Sequence, residues 1–561
     1  MPKIWRLKPP QPKLQAELSS ALHIHPIVAQ ILINRGVLTQ EAAASFLSPQ
    51  LDDLFDPFLL KGMDKAVARV RLAKANNEKV MIYGDYDVDG VTSVAVLWRA
   101  LKKFGIDAIK YIPHRMEEGY GLNLEIIPLA KELGVTLLMT VDCGVTSCEE
   151  VKALQKEGID AVITDHHEPE EDRLPDAVSI IDAKQPGCTY PFRDLAGVGI
   201  AAKFAHALLG EFPKEDLDLI TLGTIADVVP LRGENRIIVR FGLPMIMKTK
   251  KRGLKALIQS ARIEGKEASP YLVGFILGPR LNAAGRMGTA NTSLDLLLSE
   301  DATSSAALAS SLEAHNRDRQ RLQGVVFDEA IAQIDSDQAL FKRDVIVAHG
   351  EGWHKGVLGI AASKIAERYG KPAIVISFSE GFGVGSARSV EGFHLNEALA
   401  HCSGILDEFG GHKRAAGLKL KHERVAEFRE KINDFAKGIF QQEPVPTLEI
   451  DTELPLTQVS MELVKTVASL EPHGEGNPAP LFATRRLMVK SRPQVLGKDT
   501  IKFWVTDGRV SLSVVGFGMG TGCADLRMGQ AVDIVYTLGI DDWNKAPQVQ
   551  LVLKDIRSII K

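Results

Sequence analysis

The sequence predicts an α/β protein of two α/β domains joined by a long helix, followed by a small β-barrel. Three observations predict it. From about residue 78, apolar strand patterns alternate with helical ones; near residue 339 a second alternation of the same kind begins; from about residue 448, short strands follow at near-regular spacing. Apolar strands alternating with helices argue for a mostly parallel sheet covered on both faces. Short, regularly spaced strands argue for a barrel. A chain of 561 residues holds several such parts.

In chain order, residues 1–46 read as an N-terminal arm, with Pro9, Pro10 and Pro12 near its start and then short helical patterns such as LTQEAAASFLSPQ, where Thr39 followed three residues later by Ala42 gives only a weak cap signal. Residues 47–300 form the first α/β domain. In it EKVMIYGDYD, DAIKYIPH, VTLLMTVDCG and DAVITDHH are strands, and GVTSVAVLWRALKKFG and SCEEVKALQKEG are helices. Residues 301–338 read as the connecting helix and 339–442 as the second α/β domain, with RDVIVAHG and PAIVIS as strands. A linker marked by Pro444 and Pro446 leads to the barrel, residues 448–561. Its strands are RLMVKSRPQVL, TIKFWVTDG, SLSVVGFG, AVDIVYTLG and PQVQLVLKDI.

Composition excludes several classes of function. The formal charge of -4, from 67 basic and 71 acidic residues, rules out coating nucleic acid by bulk positive charge, so any such site must be a local patch. No apolar run approaches the roughly 18 residues of a membrane helix, and MPKIWRLKPPQPK lacks the apolar core of a secretory signal. Cys143, Cys148, Cys188, Cys402 and Cys523 form no CxxC pair. They fit a reducing, cytoplasmic setting as small apolar residues, without zinc.

Chemistry concentrates at strand ends. Asp85, Asp87 and Asp89 close the first strand, Asp142 the next, and Asp165, His166 and His167 a third. Asp227 follows an apolar helix in LGTIADVVPL. Single aspartates at such places usually cap helices. So many in one cleft would repel one another unless cations neutralised them. Carboxylates with a few imidazoles suit Mn²⁺ or Mg²⁺ over thiolate-loving zinc. Two such ions about 4 Å apart can clamp a phosphoryl centre.

DYDVDG, TVDCG, DHH and TIADVVPL resemble, in order, the motifs of the DHH phosphoesterase superfamily. GWHKGVLGIAASKIAERYGKPAIVIS, GSARSVEGFHL and FGGHKRAAGL resemble the DHHA1 domain. With the arm, LGPRLNAAGRM, the connecting helix and the barrel, nearly the whole chain is similar to the RecJ family of bacterial 5′→3′ single-strand exonucleases. The resemblance implies Asp87, Asp89, Asp142, His166 and Asp227 as metal ligands, with Asp142 and Asp227 shared between two ions. It implies that His167 stabilises charge on the scissile phosphate and that Asp85 is a supporting acid or further ligand. Where many relatives carry His two residues before the first Asp of this motif, this chain has Tyr83.

For the nucleic acid, LGPRLNAAGRMG carries Arg280, Asn282 and Arg286 among small residues that admit a phosphate closely or, equally, pack a tight helix turn. Asn316 and Arg319 lie on neighbouring turns of the connecting helix. In the DHHA1 context Ser386, Arg388 and His412 resemble phosphate contacts, as does Arg115. In the barrel, Arg485, Arg486, Lys490, Arg492, Lys498, Lys502 and Arg509 interleave with Phe482, Phe503 and Trp504. Basic charge with aromatic platforms is the recipe for single-strand binding on an OB-fold, with Phe503 and Trp504 as stacking candidates and burial in the core as the alternative. The family further implies hydrolysis to 5′-mononucleotides in recombination and repair, and partnership with single-stranded-DNA-binding protein and a RecQ-type helicase. A monomer in the cytoplasm, with no membrane contact, is expected. Two other readings stay open: a DHH hydrolase of short oligonucleotides or cyclic dinucleotides, and a non-enzymatic DNA-binding replication factor.

Overall fold

Lys79–Gly84 and Val135–Val141 carry apolar side chains on both faces, so they form interior strands of a sheet covered on both sides. The computed structural model describes residues 3–119, 121–169, 173–439, 447–497, 499–541 and 546–559. Pro444, Pro446 and Lys498 lie outside the described residues. The chain divides into two units, one of Asp56–Asp227 and Gly242–Pro444, the other of Met1–Phe55, Val228–Phe241 and Val445–Lys561.

In the first unit five parallel strands lie in the order Ile109–Tyr111, Lys79–Gly84, Val135–Val141, Asp160–Thr164, Ser179–Ile181. The register levels four strand ends: Gly84 pairs with Val141, Val141 with Thr164, and Thr164 with Ile181. Each of these strands is followed at once by an aspartate, so Asp85, Asp142, Asp165 and Asp182 stand in one rank. Parallel sheets collect ligands at that edge.

The 35-residue helix Ala302–Ser336, about 50 Å long at 1.5 Å per residue, packs its first half on the helices Arg252–Ser260 and Gly278–Met287, and its second on Leu358–Tyr369. The second sheet has the order Glu408–Gly411, Ala415–Lys421, Phe382–Arg388, Ala373–Ser379, Ile346–Glu351, with only the last pair parallel. Gly285 and Gly356 mark close approaches. A Cβ on Gly285 would lie 3.0 Å from the Tyr86 carbonyl, and one on Gly356 would lie 2.3 Å from that of Arg286. Gly285 therefore lets its helix pack closely on the DYD turn.

In the other unit, Phe482–Val489, Thr500–Thr506, Ser511–Phe517, Gln548–Ser558 and Ala531–Asp541 close on themselves in that spatial order. Only the third and fourth pair in parallel, which is an OB-fold barrel. The N-terminal residues share its core. Ile27, Val28, Ile31 and Leu32 are buried in one cluster with Phe482, Phe503 and Tyr536, and Ile4–Leu7 pairs in parallel with Thr447–Ile450. Thr39 caps its helix by accepting the Ala42 N–H. Among the described residues no single helix is long and apolar enough to cross a membrane.

One buried cation ties three stretches of this unit together. Arg236 is buried beneath the Phe46 ring, 3.9 Å away, and donates to the carbonyls of Phe46, Ser469, Leu470 and Glu471. The last three follow the helix Met461–Ala468, whose dipole places partial negative charge there. Removing the donor leaves those carbonyls unpaired in a dry site. Arg236→Met should destabilise this unit by about 3 kcal/mol, read as a lower urea midpoint; an unchanged midpoint would mean that water replaces the guanidinium.

Candidate metal centre and arginine cluster

The DYDVDG motif forms a strand end, a turn and a helix start. Asp87 caps the helix Val88–Phe104, its Oδ1 accepting the N–H groups of Asp89 (2.8 Å) and Gly90 (3.1 Å). Asp89, fully buried, accepts from Gly197 (2.7 Å) and Val198 (2.8 Å) at the start of the helix Gly197–Leu209. Two helix N-termini thus face the acids and offset their charge. Gly197 is required by proximity, since a Cβ there would sit 2.5 Å from Asp142 Oδ1. Asp142 itself has φ +62°, strained for a side chain by about 1–2 kcal/mol, and its N–H is fixed by the Thr164 carbonyl at 3.0 Å. Val228, the residue after Asp227, is also at φ +62°.

The ligand atoms converge. His166 Nε2 lies 3.1 Å from Asp142 Oδ1, 3.6 Å from Asp227 Oδ2 and 3.9 Å from Asp89 Oδ2. Yet His166 Nε2, Asp142 Oδ1 and Asp85 Oδ1 are buried with no hydrogen-bond partner. Buried polar atoms are nearly always satisfied, so this is the arrangement expected of atoms that share cations. Among the described residues, three groups have ligand atoms within 4.8 Å of one another: Asp85, Asp87 and Asp142; Asp89, His166 and Asp227; and Asp142, His166 and His167. Asp142 belongs to two of them, which suits a residue shared between two ions; Asp227 belongs to one.

The electrostatics agree. Burial, then the neighbouring acids, holds Asp85, Asp142 and Asp227 well above the usual carboxylate range and pushes Asp89 up to about 7. Burial depresses His166 to about 3, leaving a neutral imidazole, the form that binds metal. All donors are oxygen or imidazole, which fits Mn²⁺ or Mg²⁺. Tyr83 is no ligand. Its hydroxyl donates to the Gly121 carbonyl (2.9 Å) and accepts from Asn123 (3.0 Å), and burial raises its pKa further.

His167 is oriented by Asp165, which sequence reasoning left without a role. Asp165 Oδ1 takes His167 Nδ1 at 2.7 Å, together with the N–H groups of His166 and His167, and Oδ2 takes the Val145 N–H. Against the desolvation that would lower it, this partner raises His167 to about 9, and Asp165 is held down to about 2. Asp182 was also missed. It is buried with Oδ2 unpartnered, and burial pushes it up to about 7. Its signal was available: an apolar strand, VSII, ending in Asp as the others do.

Beyond the acids stands a group of arginines. Burial and the nearby Arg115, Arg319 and Arg388 push Arg286 down to about 9, while Asp87 favours its charge. Arg286 donates to the Gly356 carbonyl at 3.3 Å, and Arg115 stacks on Tyr86 at 4.7 Å. Arg388 donates to Ser386 Oγ at 3.1 Å. Other sequence candidates are placed differently. Asn316 is buried and accepts from Arg319 (2.8 Å), so it positions that arginine and is itself shielded from DNA. Arg280 is committed to Glu313 (2.8 Å) and the Ile276 carbonyl (2.7 Å), a strut where a free phosphate receptor was expected. Asn282 is half-buried on the same helix. His412 is exposed in the hairpin turn, its N–H donating to the Ala415 carbonyl.

In the barrel, strand alternation separates the two aromatic candidates. Phe503 is 1% exposed in the core, so it offers no face to a base; Trp504, its neighbour, is 39% exposed. Phe482 is also core. Lys490 and Lys502 are engaged with Ser511 and Asp541.

Residues 79–224 match the DHH family, N-terminal domain, residues 342–438 the DHHA1 domain, and residues 450–555 the RecJ OB domain. The chain is 41% identical over 555 residues to the single-stranded-DNA-specific exonuclease RecJ of Bacillus subtilis, covering 98% of this chain and 70% of that protein. The crystal structure of RecJ from Thermus thermophilus in complex with Mn²⁺ matches with a TM-score of 0.85 at 30% identity, covering 100% of this chain and 80% of that one. The Mg²⁺ complex from the same organism matches with a TM-score of 0.78 at 28% identity, covering 100% and 79%. Acids ranked at strand ends, the second α/β domain and the OB barrel together make this chain a member of the RecJ family of single-stranded-DNA-specific exonucleases.

Proposed function

We propose that the chain is a metal-dependent exonuclease that degrades single-stranded DNA 5′→3′ to 5′-mononucleotides. The observation that carries this is the convergence of buried, unpartnered Asp85 Oδ1, Asp142 Oδ1 and His166 Nε2 at the sheet edge. Asp87, Asp89, Asp142, His166 and Asp227 are the residues that would hold two Mn²⁺ or Mg²⁺ ions, with Asp142 shared. When bound, the ions supply positive charge for the phosphoryl oxygens and make water a better nucleophile. The protein's part is placement. His167, charged through Asp165 at 2.7 Å, directs its second ring N–H at a phosphoryl oxygen. Asp85, whose carboxyl is held well above the usual carboxylate range by burial and then by Asp87, stands at the edge of the same site as a supporting acid or further ligand.

Polarity needs an end receptor. A terminal phosphate carries about two charges where an internal one carries one. Arg115, Arg286 and Arg388, with Ser386, offer guanidinium donors beside Asp87, and burial of Arg286 and Arg388 strengthens their pull on an anion. A 5′-phosphate held there would set the first linkage over the acids, so each cut releases one nucleotide. Exposed Trp504 and the basic stretch around it support strand binding by the barrel. The family resemblance supports roles in recombination and repair, and a single-stranded-DNA-binding protein and a RecQ-type helicase as partners. The five free cysteines support a reducing, cytoplasmic setting.

One observation favours a second role for His167. It falls in a metal-sized group with Asp142 and His166, and carboxylate-paired imidazoles are also common metal ligands. A charge-stabilising His167 predicts that His167→Ala lowers kcat by roughly 10²–10³ with metal affinity unchanged; a matching loss of Mn²⁺ affinity in calorimetry makes it a ligand. Asp142→Asn should cut cleavage by more than about 10³-fold with an unaltered circular dichroism spectrum. Near-normal turnover at saturating Mn²⁺ would overturn the shared-ligand assignment. For the end receptor, kcat/KM should favour a 5′-phosphorylated strand over a 5′-hydroxyl strand, and Arg388→Ala should shrink that ratio roughly tenfold; equal ratios in both proteins would show that the end is chosen elsewhere.

A further inference from the structure

Tyr271 and Phe275 are 63% and 69% exposed. Scattered apolar side chains at a surface need no explanation, but these two are a built pair. Their rings stack at 5.2 Å with 23° between planes. Spacing of four residues puts both on one helical face. They sit at the N-terminal end and within a π-helical turn, Leu272–Leu277, an uncommon conformation that recurs at functional sites.

That turn packs on the metal centre's own scaffold. A Cβ on Gly274 would lie 3.7 Å from Ile225, and one on Gly278 would lie 3.7 Å from Ala226, in the last turn of the helix that ends at Asp227. Its other side is pinned by Arg280, which donates to the Ile276 carbonyl and to Glu313 on the connecting helix. Exposed, stacked rings on a turn that packs against the helix ending at Asp227 offer π-faces on which the bases of a single strand can stack.

We propose that Tyr271 and Phe275 form a stacking platform for bases of the single-stranded substrate, alongside the Asp227 edge of the metal centre. The platform rests on the reading of that centre as a nuclease of single strands. It binds any base, because every base has a π-face, and it holds the strand in line while the linkage is cut. Arg280 and Glu313 keep the turn in place and do not themselves touch the strand.

The test uses the full chain with Mn²⁺ and 5′-phosphorylated single strands carrying one abasic position, moved nucleotide by nucleotide from the 5′ end. For wild type, kcat/KM for release of the first nucleotide should fall roughly tenfold when the missing base is the one that stacks. Phe275→Ala and Tyr271→Ala should lose a similar factor on the intact strand, chiefly in KM, and show no further loss at that position. Phe275→Trp should restore both the affinity and the position dependence, and thermal midpoints should be unchanged because the rings are exposed. Alanine variants with wild-type kcat/KM, or with the wild-type abasic profile, would refute the platform. A flat profile on strands that wild type does cut refutes the platform alone. Wild-type protein that cuts no strand brings down the nuclease reading and the platform with it.

Discussion

Negative charge crowded into a dry place is the constraint on which the rest of this structure depends. Four strands end in register, each followed by an aspartate, and Asp89 and Asp227 join the rank from helix ends. Left to themselves Asp85, Asp142 and Asp227 hold protons above the usual range, because burial and then mutual repulsion disfavour ionisation. A site of this kind stores a demand for cations. The parallel sheet makes it possible, since it collects the carboxyl ends of all its strands on one edge.

Neighbouring elements meet that demand in fixed amounts. The helix starting at Val88 and the one starting at Gly197 direct backbone N–H groups at Asp87 and Asp89. Asp165 is satisfied separately, by backbone donors and His167, so it is ionised while its neighbours resist ionisation. Arg286 has its charge disfavoured first by burial and then by Arg115, Arg319 and Arg388, while Asp87 favours it. Buried acids that resist ionisation thus lie in one unit with arginines whose charge burial disfavours.

The barrel unit solves a different problem. A five-stranded barrel has a small core, and here the apolar helices near the N-terminus enlarge it, with Ile31 and Leu32 lying in one cluster with Phe482 and Phe503. Arg236 fastens this arrangement through carbonyls of distant segments. The aromatic residues that fill the core are thereby withdrawn from nucleic acid, which leaves Trp504 as the exposed ring of its strand.

The sequence by itself determined the order of elements and most of the chemistry. Apolar runs bounded by DYD, DCG and DHH read directly as strands ending in acids, because strand period and terminal position are local properties. The barrel, too, was legible from its alternation. Only tertiary structure decided which polar residues are free. Arg280 and Asn316 look like DNA contacts in the sequence, but Glu313 claims Arg280 from the neighbouring connecting helix, and Arg319 claims Asn316 from three residues along the same helix. Phe503 and Trp504 are adjacent in sequence and opposite in exposure, a choice made by which strand face meets the core. Asp165 and Asp182 gained their places from the sheet register, and Tyr271 and Phe275 their prominence from a π-turn set against the helix of Asp227. Partner, register and exposure are pairwise or collective quantities; a linear pattern carries the candidates for each, and only packing selects among them.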